Sequence, residues 1–345
     1  MTSFKSGLKQ GSRAARKSGS RGFTLVELMI AMVLGLVIIG GVISVFLANK
    51  QTYRTNEAMS EVQDHARTAF EFLSRDIRMA GLTGCGNLEK VANVLNNKDS
   101  DWYANFDNAV KGYDDNEPDP AAAFGTGEAE RVTGTDSFQT LGAAGTGFSV
   151  TEHKTKSANF KINEKSTDFY DGALVIVCDP VQASIMQITN YNSSNVTVVH
   201  NTGTGDPGNC SKGLGFPTEC TATGNEYEYG PNSQMALLKA AGWYIGNNPA
   251  GGRSLYRVQL NDQSGEPIAE PVEMVRNVTD MQLMYHVPEE STFKAASSVD
   301  DDDWSEVDAV RVSLIMQSDD ERAGTDANPL RRSLSTTVTI RNRVI

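Results

Sequence analysis

Apolar positions run almost unbroken from Phe23 to Leu47, and Leu28–Leu47 holds 20 residues without a charge. As a helix rising ~1.5 Å per residue, that run matches one bilayer core. From Asn49 the pattern becomes polar, but apolar residues still recur at intervals of three and four: Met59, Val62, Ala66, Phe70, Leu73 and Ile77. That spacing predicts an amphipathic helix. Arg75 and Arg78 lie where cations suit a helix C-terminus, and Gly81 and Gly84 end it. The pattern predicts one helix from about Phe23 to Ala80, roughly 85 Å long. Its first half is a membrane span and its second half packs one face on a folded domain.

Beyond the helix the period changes. Between Cys85 and Phe169 the signal is weak, and loops with short strands are expected. Runs rich in Val, Ile, Leu and Thr then follow at short spacing: Ala173–Cys178, Ile185–Thr189, Val196–His200, Leu255–Leu260, Met281–Val287, Val310–Met316 and Leu334–Ile340. These read as strands of an antiparallel sheet. Ala236–Ile245 fits helix or strand equally.

Charge sharpens the division. Lys5, Lys9, Arg13, Arg16, Lys17 and Arg21 stand in residues 1–22 without an acid, so the rest carries 25 bases against 43 acids, net −18. A basic flank before a span keeps the N-terminus cytoplasmic and exports the remainder. An acidic exported domain argues against nucleic-acid binding. All four cysteines lie past the span, where export favours disulfides. Three pairings are open. Cys210–Cys220 closes a short Gly- and Pro-rich loop, and the complementary bond, Cys85–Cys178, pins the helix end to the domain.

Glu27 is the anomaly, because a carboxylate in hydrocarbon is costly and marks function or a partner. With the basic leader before it, Gly22-Phe23-Thr24-Leu25-Val26-Glu27 resembles the class III signal of type IV pilins and type II secretion pseudopilins. The resemblance implies cleavage between Gly22 and Phe23 by the prepilin peptidase and N-methylation of Phe23. It places Glu27 at the fifth mature position as the assembly glutamate, beside Thr24. A neighbouring subunit's new amine then neutralises that acid. No proline interrupts this helix, so Gly35, Gly40 and Gly41 are its weak points, each about 1 kcal/mol worse than Ala. Gly40, Ser44 and Ala48 form a small-residue stripe suited to close helix approach.

Further segments narrow the resemblance to the PilW family of minor pilins. They are Arg75–Gly81 with Gly84-Cys85, Ser254–Arg257, Val275–Val278, Trp304 with Val310–Leu314, and the tail Thr336–Arg343. Residues 86–165 and 201–232 fall outside it. The resemblance implies an α+β, type IV pilin-like fold, with a long N-terminal helix packed on a large antiparallel sheet. Four regions follow: leader 1–22, span 23–48, amphipathic helix 49–80 and periplasmic domain 81–345. It implies an inner-membrane protein that joins other minor pilins, the major pilin and the assembly platform to prime a pilus, staying at the tip. A type II secretion pseudopilin and a tip adhesin are the alternatives.

No catalysis or cofactor is expected, since neither a nucleophile elbow nor a phosphate loop occurs. The acidic runs Asp114–Asp119 and Asp300–Asp303 lack EF-hand spacing and read as solvated loops. The histidines, His65, His153, His200 and His286, are dispersed along the chain.

Overall fold

The computed structural model describes residues 22–86, 90–144, 147–261, 268–288 and 290–343. The leader, 1–21, lies outside the described residues. Helix α1 runs Leu25–Met79 without a break at any glycine. Two compact units divide at Tyr53/Arg54, five residues beyond the expected end of the span.

In the first unit the apolar side chains from Phe23 to Leu47 are exposed. The helix there is long and apolar enough to cross a membrane. A Cβ added at Gly35, Gly40 or Gly41 meets no atom within 4 Å. These glycines therefore relieve no crowding within the chain itself.

The second unit holds fifteen described strands. They are β1 (Val91–Asn93), β2 (Val110–Tyr113), β3 (Ser137–Ala143), β4 (Phe148–Lys154), β5 (Asn159–Ile162), β6 (Leu174–Cys178), β7 (Ala183–Gln187), β8 (Asn190–Asn192), β9 (Thr197–Val199), β10 (Gln234–Asn247), β11 (Arg253–Asn261), β12 (Ile268–Arg276), β13 (Val278–His286), β14 (Ala309–Gln317) and β15 (Arg331–Thr339). Instead of one sheet there are two. Twelve strands form the larger, and β13-β14-β15 form the smaller. Pairing is antiparallel except between β1 and β7.

The ambiguous segment became β10, the longest described strand at 14 residues. Its first half pairs with β6 and its second lies between β3 and β11. Two-sided pairing overrides the helix propensity of its Ala, Leu and Lys residues. Pro271 is tolerated because β12 pairs with β11 alone.

The amphipathic stripe does what its period requires. Val62, Ala66, Ala69, Leu73 and Ile77 are buried against β13, β14, β10 and β11. A second core forms around β6, β7, β4, β5 and β9. Cys85 is bonded to Cys178, 93 residues on, and Cys210 to Cys220.

Candidate functional site

The N-terminus of α1 is built by a reciprocal pair. The Thr24 amide and hydroxyl each donate to Glu27 Oε2 at 3.0 Å, and the Glu27 amide donates to Thr24 Oγ1 at 3.2 Å. This is a capping box, Thr-x-x-Glu, which satisfies amides that an unbonded helix end leaves open. The motif was present in the sequence, but Glu27 drew notice only as an assembly acid. Phe23 is 87% exposed. Thus Glu27 has a use within its own chain before any partner arrives, and Phe23 with the apolar face has none.

The second unit supplies the frame that holds the lower half of the helix. Asp76 accepts Trp243 Nε1–H at 3.0 Å and Arg257 Nε–H at 2.9 Å. The Arg257 guanidinium also lies over the Trp243 ring. At the helix end the Gly81 amide bonds Leu141 O at 2.7 Å. Gly142 permits this approach, because a Cβ there meets Met79 O at 2.4 Å. From the tail, the Arg341 amide bonds Arg78 O. Arg343, largely buried, donates to Trp304 O at 2.8 Å and Val307 O at 3.0 Å. Burial lowers the Arg343 pKa to about 10. Segments more than 260 residues apart in sequence thus meet at one helix end.

A clasp escaped the sequence reading. The loop between β14 and β15 reaches α1 through Asp320, which takes a bidentate pair of bonds from Arg54 at 2.6 and 2.7 Å. Thr55 Oγ1 donates to Ala323 O at 2.6 Å. About two turns on, the Glu61 carboxyl meets Asp319. Burial and the neighbouring carboxylate raise Glu61 to about 7. Asp319 is held low by the Asn277 amide. Folding therefore favours a proton on Glu61. The contribution of that proton is greatest below the ordinary value of 4.5 and is lost as pH rises through about 7. Asp319 acts oppositely, its contribution present above 3.8 and lost in acid. Hydrogen-exchange protection of the Ser318 and Leu330 amides, corrected for intrinsic rates, is expected to fall between pH 5 and pH 8. In Glu61→Gln it should stay flat across that range.

The first acidic run does structural work, against the expectation of a solvated loop, whereas the second is largely exposed. Asp114 accepts the Ala296 and Ser297 amides, each at 2.9 Å. Asp119 is buried, bonded to Ser137 and Gln139, near the buried Arg131. Asp301 is exposed. Among the described residues no group of three His, Cys, Asp or Glu is placed to hold a metal. Two of the histidines, far apart in sequence, meet in the core, with His153 Nε2 3.3 Å from His200 Nε2. Burial pushes both down, to about 4 and about 3, so they form a neutral pair.

Comparison with known proteins gives two family matches. The prokaryotic N-terminal methylation motif matches residues 17–43, and the family described as Type IV Pilus-assembly protein W matches residues 242–342. Pilin-like protein PilA3 of Thermus thermophilus is 36% identical over 61 residues, 18% of this chain and 26% of that protein. The chain therefore spans about a quarter of that curated relative. Among solved structures, the type IV-like pilin TTHA1219 from Thermus thermophilus overlays 82% of this chain and 97% of its own, at 10% identity and a TM-score of 0.32.

The methylation motif at residues 17–43 runs into the exposed apolar helix, an arrangement similar to that of type IV pilin-like proteins. Within that class the C-terminal third is a PilW domain, and the matches support a PilW-type minor pilin.

Proposed function

We propose that this protein is held in the inner membrane by α1, with its N-terminus cytoplasmic and its second unit periplasmic. It is cut between Gly22 and Phe23, then joins other minor pilins to prime a type IV pilus and stays at the tip. It works by assembly and not by catalysis. The carrying observation is the capped Glu27 at the head of a helix whose apolar face is exposed among the described residues. Cleavage frees the Phe23 amine of one subunit, which then pairs with Glu27 of another.

Glu27→Ala and Glu27→Gln separate two uses of one side chain. Glutamine still serves a capping box but has no charge. Leader cleavage should proceed in both variants, and surface pili should be lost in both. Full piliation in Glu27→Gln would mean that capping, not charge, is what assembly needs. A deletion strain scored for pili and for protein secretion tests the machine itself. Lost secretion with normal pili would replace the pilus reading by the pseudopilin one.

A further inference from the structure

Four arginines converge on one cleft of the second unit. Arg67, Arg75 and Arg78 project from α1 and Arg341 from the tail, around the half-buried Phe70 and Met79, in a cleft of about 610 Å³. None of the four forms an ion pair or a side-chain hydrogen bond among the described residues. The exposed Glu71 is the one acid lining it. This local excess of positive charge sits on a chain that carries net −18 beyond its leader.

Helix polarity does not account for it. Cations suit the last turn of a helix, which covers Arg78. Arg67 lies about three turns earlier, and Arg341 is not on the helix. Four clustered guanidiniums with a single acid among them repel one another. The arrangement is instead suited to binding, because guanidinium forks match carboxylates and the apolar floor matches an aliphatic or aromatic side chain beside them.

We infer that this cleft docks an acid-bearing, partly apolar segment of a different protein subunit, which supplies the carboxylates that the arginines lack. Charge complementarity selects the occupant. A nucleic acid extending past the cleft meets the acidic remainder of the domain, which repels phosphate. The inference rests on the reading that this chain works beside other subunits, and not on which fibre they build.

The test uses the full chain in its own cells, with a photoreactive benzoyl-phenylalanine replacing Glu71. Irradiation should yield an adduct whose digest contains a peptide of another subunit, with Asp or Glu close to the cross-link. Combining R75E with R78E should lower its yield roughly tenfold, while R75K with R78K retains most of it. Unchanged resistance to limited proteolysis shows that the fold persists. Should R75E/R78E misfold, the charge dependence is read on the unaltered arginines in isolated membranes. There the yield should fall between about 0.05 and about 0.5 M NaCl. An adduct to nucleic acid, to phospholipid or to a second copy of this chain overturns the inference. So does the absence of any adduct, or a yield indifferent to charge reversal and salt. Piliation is scored separately, so failure of the cleft and failure of the pilus reading are distinguishable.

Discussion

Trp243→Ala is expected to lower the stability of the second unit by about 3–5 kcal/mol, the range for removing a large buried aromatic. Trp243 is 1% exposed and belongs to the core that buries Leu73 and Ile77 of the helix. It sits in the middle of β10, opposite Phe138 on one side and Arg257 on the other. Its indole N–H also meets Asp76. Truncation leaves a cavity at the helix–sheet contact and takes one donor from a half-buried carboxylate. Trp243→Phe separates these effects: it keeps most of the bulk and loses the bond, a change of about 1.5–3 kcal/mol for a charged partner. Thermal unfolding of the detergent-solubilised chain should show a drop of roughly 6–20 °C for Trp243→Ala. The drop for Trp243→Phe should be smaller, and equal losses would mean that the Asp76 bond, not packing, dominates the site.

The helix was legible from its one periodic face and most strands after residue 170 from their apolar runs, β6 and β7 being buried at every residue, whereas β8 and β12 went unread. Val310–Met316 was read almost to its bounds, Ala309–Gln317, and its inward residues alternate as a half-buried strand requires. Strand β3 was not legible. Its sequence, SFQTLGA, mixes polar and apolar side chains, yet every residue is buried. Ser137 and Gln139 are there to bond the buried Asp119, a partner 18 and 20 residues earlier that no local pattern marks. The same holds for the His153–His200 pair, 47 residues apart. At the candidate site the methylation motif and Glu27 were legible in a short continuous stretch of sequence. The frame could not, since Asp76, Trp243 and Arg257 become one unit only through folding. Short motifs that are weak alone gain weight when they touch.

Removing the Cys85–Cys178 bond is the second large effect. The bond closes a loop of 93 residues, and the loop-entropy relation gives about 4.7 kcal/mol for a loop of 100. Cys210–Cys220 spans 10 residues, for which the same relation gives just under about 3 kcal/mol. Cys85→Ala with Cys178→Ala should therefore destabilise the chain more than Cys210→Ala with Cys220→Ala. The loss should also have a location. The long loop contains β1 to β6, and β6 reaches the rest through its pairing with β7 and the first half of β10. The helix frame is held separately, by Asp76, Arg343 and the core around Trp243. Limited proteolysis of the Cys85/Cys178 variant should cut first within 86–178, while the frame strands β13 to β15 stay protected. Cleavage spread evenly over both regions would mean that the bond stabilises the whole unit and not one part of it. Cells that cannot form these disulfides should accumulate little of this protein, and the shortage should precede any defect in leader cleavage.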